Sequence, residues 1–362
     1  MAVAEAVPGQ KYWFVSPDQI EDVLEHSFTK RVNLIDLGVV IRQETRGSSV
    51  SGRPNEDSPF VIPMGKGREL VSVLDGASSR KAIAGLEVRG VSGAYYISHL
   101  VSLEFVNSEE YRELCNRETL TAGDVMRTVN RWLFENLNKV EGINYQDILS
   151  VPGMAASFCL IDAPNKVVTV AHVADTTAVA IYTDRVEILT FNQNQKFDDE
   201  TTALLESLAR EYGLTPRQVL ARPELKALVK AQLVDSFGRK TNVPDGCGIL
   251  DGMPQLEENN LIYENKAEIT PDMLGVIIVS DGALQPYLKK GVPLESAVKA
   301  LADDSAKYPV GEGGGFLEKG REDLLADPEY LEVIRLKDND DATLVRVDFL
   351  HEEMGSAPRW LC

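Results

Sequence analysis

The chain has 362 residues, 44% of them hydrophobic, and a formal net charge of −19. That is enough apolar material for a large core, in one elaborated domain rather than two. The acidic balance argues against nucleic acid or an anionic membrane as partner, because both polyanions recruit clustered Lys and Arg.

The start MAVAEAVPGQ lacks a basic leader and a long apolar run, and no stretch approaches the ~18 apolar residues of a membrane helix. A soluble cytoplasmic protein is expected. In chain order, residues 16–28 open with a Ser-x-x-Gln capping pattern and place Ile20, Val23, Leu24 and Phe28 on one helical face, a short lead-in helix. Val32–Ile41 reads as a strand, Arg46–Pro54 as a Gly/Ser-rich loop, and Val71–Leu74 as a second strand. Helical spacing follows over 82–105 and over 122–138, the latter carrying Val125, Met126, Val129, Trp132, Leu133 and Leu137. Four strands come next, Ala155–Ile161, Val167–Val173, Ala178–Tyr182 and Val186–Thr190, expected as one antiparallel meander.

Residues 198–236 read as a helical insertion, interrupted at Thr215-Pro216 and Arg222-Pro223, since a residue before proline leaves the helix. Loop with one short strand is expected over 237–265, then the strand Val276–Ser280, helices near 283–289 and 293–303, a glycine-rich loop at Val310–Gly315, and a centrally buried last strand, Thr343–Phe349. Strands in blocks with helix pairs between them predict an α+β fold, a four-layer α-β-β-α sandwich with two central antiparallel sheets.

Acid recurs at strand ends. Leu70–Leu74 runs into Asp75-Gly76-Ala77, and Val276–Ser280 into Asp281-Gly282-Ala283. A carboxylate at the end of a rigid strand, followed by a glycine that lets backbone approach, suits a hard-metal site. Glu56-Asp57 and Asp340-Asp341 add acid beside other apolar runs, whereas Asp245-Gly246 and Asp251-Gly252 read as ordinary turns. Four carboxylates meeting at one point would repel by roughly 4 kcal/mol per close pair at an effective dielectric near ~20, so cations are needed to hold them together. Oxygen-only ligation indicates Mg2+ or Mn2+ rather than zinc. Cys115, Cys159, Cys247 and Cys362 show no metal or disulfide spacing and read as reduced, unpaired thiols. His99 and His172 read as hydrogen-bonded interior or boundary residues.

The order R-x-N-E-D, strand-D-G, G-x-A-A-strand, strand-A-D-T, strand-S-D-G and D-D-A-T-strand, over about Ser51 to Phe349, resembles the PPM (type 2C) family of metal-dependent serine/threonine protein phosphatases. The resemblance implies a phosphatase domain over 32–350, with 191–265 as a variable flap-like insertion, 1–31 as a lead-in and 351–362 as a tail. It also implies that Glu56 serves one metal, Asp57 holds a metal-bound water, Asp75 bridges two ions and the Gly76 carbonyl completes one shell. Asp281 and Asp340 would ligate the other ion, Asp175 a weaker third, and Arg53 would grip the phosphate of a phosphorylated protein substrate. Three departures accompany it. Asp75-Gly76-Ala77-Ser78-Ser79 lacks a histidine found in some members, so another group or water protonates the leaving group. Arg53 lies one residue nearer the Glu-Asp pair than in many members, and Ala174-Asp175-Thr176-Thr177 stands for G-D-S-R. Two other readings stay open: a phosphatase-like regulatory module without turnover, and a phosphatase of a small phosphorylated metabolite.

Overall fold

Alternation along two neighbouring strands sets the layers. On β3 (Asp57–Pro63) and β4 (Arg68–Ala77), Phe60, Ile62, Leu70 and Leu74 enter one core with helical side chains. Val61, Val71 and Val73 turn the other way, into a second core shared with another sheet. Successive strand residues point to opposite faces, so a strand covered on both sides is apolar throughout; β5 (Gly153–Asp162) is buried at every position.

The computed structural model describes residues 28–34, 39–46, 55–77, 83–87, 91–288, 292–307, 317 and 341–350. Among these, β3, β4, β5, β6 (Val167–Val173) and β9 (Tyr263–Glu268) form a five-stranded sheet in the order β3-β4-β5-β6-β9. A six-stranded sheet runs β1 (Phe28–Leu34), β2 (Val39–Arg46), β11 (Ala342–Phe349), β10 (Met273–Val279), β7 (Thr177–Tyr182), β8 (Val186–Ile188). All pairings are antiparallel. The sheets stack face to face with the second core between them.

Outside the five-stranded sheet lie α2 (Gly93–Glu104), α3 (Glu109–Asn116) and α4 (Ala122–Leu137), preceded by the one-turn α1 (Ala84–Glu87). The α4 start is fixed by a reciprocal box in which Asp124 N donates to Thr121 Oγ1 and Thr121 N to Asp124 Oδ2. Its Val125, Met126, Val129 and Leu133 enter the first core. Covering the six-stranded sheet are α9 (Asp281–Leu284) and α10 (Leu294–Lys307), through Ala283, Leu284, Val298 and Leu301. Between β8 and β9 an insertion folds as α5 (Gln195–Tyr212), α6 (Pro216–Ala221) and α7 (Pro223–Lys240), with its own small core of Leu205, Leu208, Val219, Leu225 and Val229, followed by the short α8 (Gln255–Glu258). No helix among the described residues is long and apolar enough to cross a membrane.

The four-layer expectation holds, and β11 lies inside its sheet as its apolar run required. Both helix breaks fall at the expected prolines, Pro216 and Pro223. Three readings change. The single strand expected at 32–41 is a hairpin of β1 and β2, and strand already begins at Phe28; the rest of the expected lead-in helix lies outside the described residues, as does the 310–315 loop. The expected 82–105 helix is two helices, α1 and α2, with Ser92 capping the second. The meander is split: after β6 the chain crosses to the other sheet, and β7 pairs with β10. A hydrophobic run shows where a strand is, but not which face-to-face partner it joins.

Two buried polar features bear on stability. Beneath α10, Asp348 on β11 accepts from Arg42 Nη2 at 2.6 Å and from Arg346 Nε at 2.8 Å, and Arg346 Nη1 also donates to Ser305 Oγ and the Ala302 carbonyl, each at 2.8 Å. Replacing Asp348 by Ala leaves two buried guanidinium groups without this carboxylate, and is expected to cost about 3–5 kcal/mol in urea unfolding. At the start of β4, burial pushes the Glu69 carboxyl from 4.5 up to about 8. The folded chain therefore keeps a proton that the unfolded chain releases between those values, so this stability is full below 4.5 and lost as pH rises through about 8. Glu69→Gln removes the titration; its stability relative to the parent is expected to rise from pH 5.5 to pH 8.5, measured by denaturant unfolding at both.

Candidate metal centre

Register brings the acidic strand ends together. Asp57, the first residue of β3, lies directly across from Asp75 near the end of β4, and Asp75 lies across from Ala155 on β5. Such cross-strand neighbours hold their Cβ atoms ~4.5–5.5 Å apart on one face. By alternation with Val61, Val71 and Val73 that face is the one turned to the other sheet. β6 ends at Val173, paired with Ala156, and after three intervening residues β7 begins in the second sheet at Thr177, paired with Val279 at the end of β10. Glu56 with Asp57, Asp75, Asp175, Asp281 and Asp341 thus come from five segments to one end of the sandwich.

Hydrogen bonds tie the two sheets at that end. Glu56 N donates to Asp341 Oδ2 at 2.6 Å, and Asn55 Nδ2 to Thr45 Oγ1 at 2.7 Å. Thr45 Oγ1 meets Thr343 Oγ1 at 2.6 Å. Thr343 N donates to Ser280 Oγ at 2.9 Å and Ser280 N to the Thr343 carbonyl at 3.0 Å, which fixes the backbone immediately before Asp281. Glu56 is held from the helical side as well. Ser92 Oγ, the N-cap of α2, donates to Glu56 Oε1 at 2.5 Å, and Ser98 Oγ donates to the Glu56 carbonyl at 2.6 Å. Gly76 N donates to that same carbonyl at 3.3 Å. A Cβ on Gly76 would stand 2.6 Å from the Ala94 carbonyl oxygen and 2.7 Å from that of Glu56. Only glycine fits between these two carbonyls. Asp57 and Asp341 are buried, while Asp75 and Asp281 are half-buried at the rim.

The donor set at this edge is oxygen only, which fits divalent Mg2+ or Mn2+. Among the described residues no three His, Cys, Asp or Glu side chains already stand together as a coordination group. Arg53 and Asp340 lie outside the described residues; the adjacent Asp341 is the carboxylate seen bonded to Glu56. The Asp175 corner does not fit a third ion. Asn194 Nδ2 donates to Asp175 Oδ2 at 2.7 Å, and Asn194 Oδ1 accepts from Lys240 Nζ at 2.9 Å, so an amide N–H, held in place by an ammonium behind it, stands where a metal would need lone pairs. Ala174 adopts φ 65°, where the sequence has no glycine to relieve it.

The histidines keep their interior reading. His172 Nε2 lies 2.7 Å from the Phe191 carbonyl and must donate, leaving Nδ1 to accept from Ser157 Oγ at 3.0 Å. His99 stacks on Tyr95 with ring centroids 3.9 Å apart. Burial lowers both imidazoles to about 4. Cys159 and Cys247 are buried free thiols. Asp251 is more than a turn residue. It is buried, accepts from Met253 N at 2.8 Å and Asn242 Nδ2 at 2.9 Å, and burial pushes it up to about 7. Sequence reasoning missed Ser92, Ser98, Asn194 and Lys240. Ser92 carried a cap signal at the α2 start, but the other three are visible only through contacts distant in sequence.

A family model described as protein phosphatase 2C matches residues 46–308. No curated protein matches the chain. Solved structures similar to it include the serine/threonine phosphatase PstP/Ppp of Mycobacterium tuberculosis, at 12% identity over 86% of this chain and 99% of that one, with a TM-score of 0.44. The serine/threonine phosphatase Stp1 from Staphylococcus aureus gives 14% identity over 85% and 94%, TM-score 0.45. A C. elegans sex determining protein gives 14% over 92% and 71%, TM-score 0.47.

Gly76→Ala forces apart the β4 end, α2 and Glu56. It is expected to cost about 1–3 kcal/mol in thermal unfolding and to weaken Mn2+ binding in a calorimetric titration, both relative to the parent.

Proposed function

The chain belongs to the protein phosphatase 2C family, and we propose that it is a Mg2+- or Mn2+-dependent phosphatase that removes phosphate from phosphoserine or phosphothreonine in proteins. The observation that carries this reading is the pairing of Asp57 with Asp75 at the edge where Glu56 N bonds Asp341, which brings oxygen donors from both sheets to one edge. In this reading Glu56, Asp75, the Gly76 carbonyl, Asp281 and Asp340 hold two cations. When bound there, the ions supply a water nucleophilic at neutral pH and offset phosphoryl charge.

The chain's own groups do the rest. Asp57, buried and fixed by its register, orients the attacking water by accepting its hydrogen bond. Arg53 presents a planar fork to two phosphate oxygens, which a lysine could not match. The carboxylate rim repels bulk anions that lack a compensating cation, and this disfavours nucleic acid as substrate. Leaving-group protonation falls to water or another group, because burial lowers both described core histidines to about 4 and backbone engages them. The phosphatase domain takes in β1 and so includes Phe28 onward, and the insertion between β8 and β9 shapes substrate choice beside the edge.

The test is hydrolysis of p-nitrophenyl phosphate and of a phosphothreonine peptide. EDTA is expected to abolish both and Mn2+ to restore them, with Asp75→Asn and Asp281→Asn each reducing kcat by ~10²–10³-fold, the scale of losing one electrostatic group at a reacting centre. Activity that survives EDTA, or tight Mn2+ binding with no turnover of any phosphopeptide, would count against a metal-dependent enzyme. Faster turnover of sugar phosphates than of phosphopeptides would move the substrate to a metabolite.

A further inference from the structure

The insertion leaves β8 and returns at one corner of the edge. It enters through Asn194 and closes at Lys240, the last residue of α7. Lys240 Nζ donates to Asn194 Oδ1 at 2.9 Å, and Asn194 Nδ2 donates to Asp175 Oδ2 at 2.7 Å, so one buried amide joins the ammonium to the carboxylate. The same ammonium lies 5.3 Å from the centre of the Phe197 ring. Phe197 packs with Ala155, Ala174, Cys247 and Ile249, and Ala155 is the cross-strand partner of Asp75. The Lys240 carbonyl accepts from Cys247 N at 2.7 Å, which fixes the backbone that carries the side chain.

Further acid lies in the same corner. Burial pushes the Asp198 carboxyl up to about 6, Lys240 opposes the push, and Asp175 and Asp199 add to it. A cation at the C-terminal end of α7 also meets the negative end of that helix. The ammonium donates to an amide that in turn binds the Asp175 carboxylate, faces an aromatic ring and acts electrostatically on Asp198, an arrangement with the charge of a cation site and the wrong donors for a metal.

We propose that the Lys240 ammonium is the resident cation of the Asp175 corner, a side chain standing in for a third divalent ion, and that through Asn194 it clamps the three-helix insertion to the metal-bearing edge. The stoichiometric half rests on the two-ion reading above; the clamp does not.

The experiment uses the full chain stripped with EDTA and titrated with MnCl2 in a calorimeter. Two binding events are expected for the parent and for Lys240→Arg. Lys240→Met, which keeps the stem but loses the charge, is expected to add a third, weaker event that Asp175→Asn then removes. A parent that already shows a third event sensitive to Asp175→Asn, or a Lys240→Met chain with no added event, overturns the stand-in. A parent that binds no Mn2+ overturns the two-ion reading together with the stand-in. The clamp is read by amide hydrogen exchange in metal-free protein. Residues 194–198 and 240–247 are expected to exchange about tenfold faster in Lys240→Met, the loss of one charge-assisted hydrogen bond, and at the parent rate in Lys240→Arg. Unchanged exchange in Lys240→Met overturns the clamp.

Discussion

The contact between Glu56 N and Asp341 Oδ2 bridges two sheets whose facing surfaces pack mainly through apolar side chains. A hydrophobic interface has no strong directional preference, and stacked sheets can slide by fractions of a residue at little cost. A 2.6 Å bond to a carboxylate cannot. With the Asn55–Thr45–Thr343–Ser280 chain beside it, it sets the relative position of β3 and β11 and hence of every acid at that edge. Positioning of this kind is what a site needs when its groups come from distant stretches of chain.

Such a cluster is a burden to the fold until its charge is met. Carboxylates that face one another raise the free energy of the folded chain, and the polar groups around them replace side chains that could have packed. The structure meets this locally. Ser92 and Ser98 engage Glu56, Asn194 engages Asp175 and is itself held by Lys240, and the hydrophobic cores begin only one or two residues back along each strand. A contrasting arrangement is found under α10, where two buried arginines share one aspartate.

Much of this was legible because strand-terminal acid is a local signal. The runs ending in Asp75 and Asp281 announce a strand and, to within two residues, its end, although β4 continues to Ala77 and β10 stops at Val279. The sheet identity of β6 and β7 was not legible, since Val167–Val173 and Thr177–Tyr182 have the same alternating apolar character and only Ala174–Thr176, too short to be distinctive, carries the crossover. The Asp175 corner was illegible for a related reason. Its partners sit 19 and 65 positions away from Asp175 and 46 from each other, at Asn194 and Lys240, and an amide or a lysine on a helical insertion has nothing in its own neighbourhood to mark it.

The insertion starts and finishes against a single point, so the polypeptide between Asn194 and Lys240 forms a closed loop as seen from the sheets. Closure entropy grows only with the logarithm of loop length, and these helices pack on one another through their own apolar residues. Lineages could therefore lengthen, trim or exchange this excursion with almost no consequence for the sandwich, so long as both of its anchoring residues stay in register.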